Sequence, residues 1–82
     1  MTEPNEFPEV PVQLEAVWGS SNVVATGYDE DTSILVVEYV NGAQYRWDGI
    51  PRSVYEALRA AASVGKYLRA LEAQYGKGTR IG

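Results

Sequence analysis

A chain of 82 residues has room for one small domain, and none for a cofactor domain joined to a substrate domain. Seven Lys and Arg against eleven Asp and Glu leave a net charge of −4, the wrong sign for a domain dedicated to wrapping DNA. With no Cys and no His, disulfides, thiolate metal sites, thiolate nucleophiles and imidazole proton transfer are all excluded, which weighs heavily against an enzyme and against a bound cofactor.

Met1–Pro11 combines Glu3, Glu6 and Glu9 with Pro4, Pro8 and Pro11, a mixture that neither continues a helix nor joins the middle of a sheet. Residues 1–11 are therefore expected to form a flexible arm. This start lacks the basic-then-apolar order of a secretory signal, and no stretch approaches the roughly 18 apolar residues of a membrane span. A cytoplasmic location without a membrane partner is the expectation. From Val12, the apolar positions Val12, Leu14, Ala16 and Trp18 alternate with Gln13, Glu15 and Val17, which permits a short strand or an extended anchor, with Trp18 tucked into the core.

Gly19–Asn22 is a turn by composition, and Asn22–Tyr28 is expected to be a strand in which Gly27 marks a bulge. The acidic Asp29-Glu30-Asp31 turns the chain. Ile34–Val40 is almost wholly β-branched or aromatic and is the strongest strand of the sequence. Asn41-Gly42 directly follows it, the preferred dipeptide of a two-residue type I′ hairpin, so Ala43–Asp48 is its returning partner. That turn predicts Val40 opposite Ala43, Glu38 opposite Tyr45, and Val36 opposite Trp47. Ile34, Val36, Glu38, Val40, Ala43, Tyr45 and Trp47 would then share the core face, with Glu38 the misfit. Leu35, Val37, Tyr39, Gln44, Arg46 and Asp48 would share the other.

Pro51 suits a first helical turn, and Val54, Tyr55, Leu58, Ala61 and Ala62 recur at helical spacing, predicting a helix from about Pro51 to Ala62. Ser63 is a good N-cap for a second helix over Val64–Tyr75, whose stripe is Val64, Leu68, Leu71 and Tyr75 with Tyr67 alongside. Gly76 and Gly78 end it, and residues 77–82 are expected to be a flexible tail. The sum is an α+β fold: a small three-stranded antiparallel β-meander followed by two C-terminal helices packed on the sheet, one domain spanning residues 12–76. Its aromatic core is expected to be Trp18, Tyr45, Trp47, Tyr55, Tyr67 and Tyr75. So small a core is marginal, and self-association into a homo-oligomer would supplement it.

The ordered succession Ser20-Ser21-Asn22-Val23, Gly27-Tyr28-Asp29, Asn41-Gly42, Tyr45-Arg46-Trp47, Ile50-Pro51-Arg52-Ser53-Val54-Tyr55, Leu58 and Ser63-Val64-Gly65-Lys66-Tyr67 resembles the KTSC domain. That small family takes its name from a C-terminal extension of some lysyl-tRNA synthetases and also occurs as stand-alone bacterial and phage proteins. Tyr45-Arg46-Trp47 stands at the family's aromatic-x-aromatic centre. After the Tyr67 position the family tends to carry Phe then Asn, whereas Leu68 and Arg69 stand here, and the final aromatic falls one residue early at Tyr75. The resemblance implies a binding module, with RNA as the ligand class suggested for the family.

Charge is divided along the chain. Residues 1–51 carry −8 and residues 52–82 carry +4. Arg52, Arg59, Lys66, Arg69, Lys77 and Arg80 form the basic end, either as a phosphate-binding patch or as a solvated face neutralised by Glu56 and Glu72. Tyr39 and Arg46, placed on the face away from the core, complete an expected ligand-contacting set of Tyr39, Arg46, Arg59, Lys66 and Arg69. RNA is the first partner class expected. The alternative is a protein partner, as for a small phage-type protein docking on a host protein, with Leu35, Val37 and Tyr39 as the exposed apolar face. Asp29-Glu30-Asp31 lacks the Gly and Glu spacing of a calcium loop and is better explained as a turn tip. Ser63 with Lys66 is better explained by helix capping than by a nucleophile pair.

Overall fold

The computed structural model describes residues 12–18 and 20–82; the arm expected at residues 1–11 lies outside the described residues. The elements in chain order are β1 (Glu15–Ala16), β2 (Val23–Asp29), β3 (Ile34–Tyr39), β4 (Gln44–Trp47), α1 (Arg52–Ala60), α2 (Val64–Tyr75) and β5 (Thr79–Arg80). They build one antiparallel sheet in the order β1-β2-β3-β4-β5. The α+β architecture with two helices is as expected. The sheet is not the expected three-stranded meander, because a short strand is added at each edge.

The added strand β5 falls inside the tail expected at residues 77–82. Tyr45 faces Arg80 and Arg46 faces Thr79 across the β4–β5 pair, and Ile81 N–H donates to Gln44 O at 2.8 Å. What brings this segment back is Trp47. Its Nε1 donates to Gly76 O at 2.8 Å, and a Cβ placed on Gly78 would sit 2.9 Å from the indole. Only a residue without a side chain lets the backbone pass so close to the ring.

The β3–β4 hairpin differs from expectation by one residue. Leu35 faces Trp47, Val36 faces Arg46, Val37 faces Tyr45 and Glu38 faces Gln44. Gly42 N–H donates to Tyr39 O, Tyr39 N–H donates to Ala43 O, and Gly42 has φ +91° while Asn41 does not adopt positive φ. The loop is thus a three-residue connection, Val40-Asn41-Gly42, with glycine at the left-handed position after the turn, in place of the two-residue type I′ turn. Asn41 Oδ1 accepts from Ala43 N–H at 3.0 Å, tying the side chain into the loop. Because side chains alternate with period two, this single step moves β3 to its other face relative to β4.

Leu35 and Val37, expected on the outer side, are therefore fully buried beneath the helices, with Trp47 at 4 % exposure. Val23, Leu35, Val37, Trp47, Ile50, Leu58, Leu68 and Leu71 form one apolar cluster joining the sheet to both helices. Ile34 and Val36 are buried as well, on the opposite face. There a Cβ on Gly27, the cross-strand neighbour of Val36, would sit 2.6 Å from Gln13 O, so the segment entering β1 passes directly over this glycine. The bulge in β2 lies between Val23 and Ala25 and not at Gly27, whose role is this close approach.

Helix α1 starts one residue later and ends two residues earlier than expected, since Pro51 and Ala61 take extended backbone as its caps. Helix α2 has the expected span. Ser63 caps it by accepting from Lys66 N–H, and Gly76 ends it with φ +84°. Tyr28 of β2 stacks on Tyr55 of α1 at 5.1 Å between ring centroids, and its hydroxyl donates to Ile50 O at 2.6 Å. Tyr55 and Tyr67 pack against the core as expected, and so does Tyr45. Two expected core aromatics do not. Trp18 is 89 % exposed because Val17, bonded through its N–H to Val24 O, takes the inward position and alternation turns its neighbour outward. Tyr75 is 36 % exposed, in the last turn of α2 beyond Leu68 and Leu71.

Replacing Trp47 by Phe keeps an aromatic ring in the core but removes the bond to Gly76. The expected loss of stability is about 1–3 kcal/mol, read as a lower urea midpoint with little change in slope. An unchanged midpoint would contradict the anchoring role given to the indole.

Candidate ligand-binding site

The structure divides the expected ligand set. Tyr39 faces the helices, while Arg46, paired across to Val36, lies on the opposite face and bridges to Asp48 at 2.9 Å. The sheet separates the two, so they form no common surface; the one-residue hairpin step is the cause. Arg59 is bound by Glu15 of β1 and lies over the Tyr55 ring, 5.9 Å from its centroid. Arg52 pairs with Glu30 and, one turn along α1, with Glu56 at 2.9 Å. The carboxylates of β1, the β2–β3 turn and α1 thus partner the cations of α1. All of these pairs are exposed and contribute little to stability, yet they occupy charge that a phosphate would otherwise meet.

Lys66 and Arg69 have no acidic partner within ion-pair distance among the described residues. Both line a cleft of about 260 Å³ between the Ser20–Asn22 loop and the start of α2. The loop is organised by Ser20, whose Oγ accepts from Val23 N–H at 3.1 Å and from Asn22 N–H at 3.3 Å. Gly65 faces the Asn22 amide, with a Cβ built on it lying 3.9 Å from Nδ2. Two sequence stretches some 40 residues apart, Ser20–Asn22 and Ser63–Lys66, are therefore walls of one depression.

Asn22 also lines a second, larger cleft of about 530 Å³, set between the β3–β4 hairpin, the C-terminal half of α2 and the segment leading into β5. Tyr39 and Tyr45 lie in it at 5.7 Å between ring centroids and 81° between planes, an edge-to-face pair. Glu72, Lys77 and Arg80 border it. The Tyr39 hydroxyl has its pKa raised, first by burial and then by the nearby Glu72 carboxylate and Tyr45. It therefore stays protonated, able to donate and to accept, throughout the physiological range. Glu72 meets no cation within ion-pair distance among the described residues.

Sequence reasoning placed Lys66 and Arg69 in the site, and the structure brings them together. It missed Asn22, Asn41 and Glu72, and it assigned Lys77 and Arg80 to a tail although their charge was counted. The Asn-Gly pair was legible only as a turn, and nothing in the spacing brings Glu72 beneath Tyr39 before the hairpin step is known. Asp29 spends its carboxylate on the turn, accepting from Thr32 N–H at 3.0 Å and Thr32 Oγ1 at 2.6 Å. Among the described residues no three metal-ligating side chains gather, and no helix is long and apolar enough to cross a membrane. Cations, amides and partly exposed aromatic rings thus surround two clefts that share Asn22.

The family model of the KTSC domain matches residues 19–71. An uncharacterized protein of Stutzerimonas stutzeri is 42% identical over 48 residues, which span 58% of this chain and 68% of the relative. A protein of Tsukamurella paurometabola is 35% identical over 52 residues, covering 63% and 78% of the two chains. The crystal structure of a KTSC domain protein from Yersinia pestis superimposes with a TM-score of 0.72 at 27% identity, over 87% of this chain and 99% of that one. The smaller cleft falls inside the family-matched span, whereas Glu72, Lys77 and Arg80 of the larger cleft lie beyond it.

The raised Tyr39 pKa has a consequence for stability. The folded state holds this proton more tightly than the unfolded chain, so the contribution is complete below the ordinary value of 10.0 and fades as pH rises through the folded value. Stability of the wild type should therefore fall more steeply above about pH 10 than that of Tyr39→Phe. Urea titrations of the two proteins over pH 8–11 measure it; parallel curves would place Tyr39 in water.

Proposed function

The chain belongs to the KTSC domain family, and on that premise we propose that it is a non-enzymatic binding module for single-stranded RNA, held along the basic surface of α2. One observation carries this reading: Lys66, Arg69, Lys77 and Arg80, which lack acidic partners among the described residues, line two clefts that meet at Asn22. Phosphates are the natural partners of such a series, and neutralising them releases counterions, a driving force that operates locally despite a net charge of −4. The Tyr39 and Tyr45 rings in the larger cleft supply a surface for unstacked bases. A duplex keeps its bases inside the stack and could not use that surface, so an unpaired strand is the better fit.

A second reading, a protein-docking factor, rested in the sequence on the net charge of −4 and on an open apolar face of Leu35, Val37 and Tyr39. Leu35 and Val37 are fully buried, so the apolar-face part of that support is gone. Trp18, at 89 % exposure beside a cleft of about 230 Å³ lined by Leu58, Ala61 and Val64, is the observation that now favours it.

Fluorescence anisotropy with a labelled single-stranded RNA separates the two. The wild type is expected to bind at about 50 mM salt, with affinity falling linearly on a double-logarithmic salt plot. Lys66→Glu together with Arg69→Glu should weaken binding by about tenfold or more and flatten that slope by about one for each phosphate no longer neutralised. Arg46→Glu, on the opposite face, should leave binding close to wild type. Absence of wild-type binding at low salt would overturn the proposal, as would equal losses from both faces.

A further inference from the structure

We propose that the larger cleft is a base-selective subsite that takes one unpaired guanine of a bound RNA strand, recognised through Glu72. This inference rests on the RNA-binding reading and names the base that this particular chain selects. A cleft of about 530 Å³ falls within the range of small-ligand sites. Its volume suits one nucleotide better than a run of bases.

The cleft's polar lining has a definite pattern of donors and acceptors. Glu72 presents a carboxylate, which accepts only, and no described residue donates to it or pairs with it. Asn41 presents an amide whose oxygen accepts from Ala43 N–H at 3.0 Å and whose NH₂ donates to no described residue, while Asn22 lines the cleft with its Nδ2 on the Gly65 side. The Asn41 NH₂ is a donor available to a ligand. The site thus offers one two-oxygen acceptor and the Asn41 amide donor, beside an aromatic pair whose hydroxyls can donate or accept.

Among the four RNA bases this pattern matches guanine. Its Watson–Crick edge presents two adjacent donors, N1–H and the 2-amino group, spaced for the two oxygens of a carboxylate, and next to them the O6 acceptor for an amide N–H. Adenine places the N1 lone pair where guanine has N1–H, and a carboxylate repels it. Uracil and cytosine each lack the adjacent donor pair. An anionic acceptor within a surface otherwise built for phosphates is hard to explain by affinity alone, because it opposes the charge that binds the backbone. It is explained if its return is selectivity. Lys77 and Arg80, at the border of the same cleft, are placed for the phosphates flanking the base.

The full chain is titrated with labelled uridine hexaribonucleotides carrying one central guanosine, adenosine or inosine, the last being guanine without its 2-amino group. The guanosine strand is expected to bind about tenfold more tightly than the adenosine strand, and inosine to lose much of that advantage. Glu72→Gln keeps the side-chain shape, and circular dichroism confirms its fold. It should erase the guanosine preference, so that the guanosine and adenosine strands bind alike. Equal affinity for the three strands, with binding retained, overturns the guanine site and leaves the RNA reading standing. Survival of the preference in Glu72→Gln likewise overturns it, and no binding of any strand overturns both.

Discussion

The position of Trp47 is the constraint on which the rest of the structure depends. Its ring is buried in the apolar cluster at 4 % exposure, while its Nε1–H donates to Gly76 O just past the end of α2. One residue thereby joins three things: the hairpin, the helix layer and the returning C-terminal segment. Burying an indole without a hydrogen-bond partner is costly, so the Gly76 carbonyl must be where it is. With Gly76 fixed and Gly78 lying against the ring, the chain has one short path back to β4, where Thr79 and Arg80 complete the sheet. This is how Lys77 and Arg80, near the end of the sequence, come to border the same cleft as Tyr39.

The parts of the fold that local chemistry dictates were legible in the sequence. Ser63 as a cap and Gly76 as a stop determine the span of α2, and both signals act within a few residues of their effect. The β-branched run from Ile34 announces β3 equally plainly. The hairpin was harder because Asn-Gly serves two loop lengths: glycine takes positive φ in either, and the choice lies in whether Asn41 does so too. Competition between faces decided it. The observed register puts Leu35 and Val37 together with Trp47 and Tyr45 under the helices, and leaves Ile34 and Val36 to the side crossed by the entry into β1. Both faces of β3 are apolar, so alternation within the strand carried no vote.

The same ambiguity governed how much of the site could be read. Tyr39 moved from the outer face to the helix face with the one-residue step, leaving Arg46 behind. Arg59 dropped out for a different reason, its partner Glu15 lying 44 positions away in sequence. Lys66 and Arg69 needed no long-range information, since the start of α2 positions both. Glu72 is the opposite case, a residue whose surroundings exist only once the sheet and α2 are assembled. The two clefts thus differ in origin: the smaller is walled by motif residues within the matched domain, and the larger draws Glu72, Lys77 and Arg80 from beyond it.

The surface proposed for RNA is specific in location, and location is what a residue-resolved titration measures. Adding a single-stranded uridine-rich hexaribonucleotide to isotopically labelled protein should move the NMR amide resonances of Asn22, Tyr39, Lys66, Arg69, Lys77 and Arg80 together, with one saturation curve. Resonances of Arg46 and Asp48, on the other side of the sheet, should stay in place. Shifts centred on Arg46 or around Trp18, or a spectrum unchanged at saturating oligonucleotide, would contradict the account.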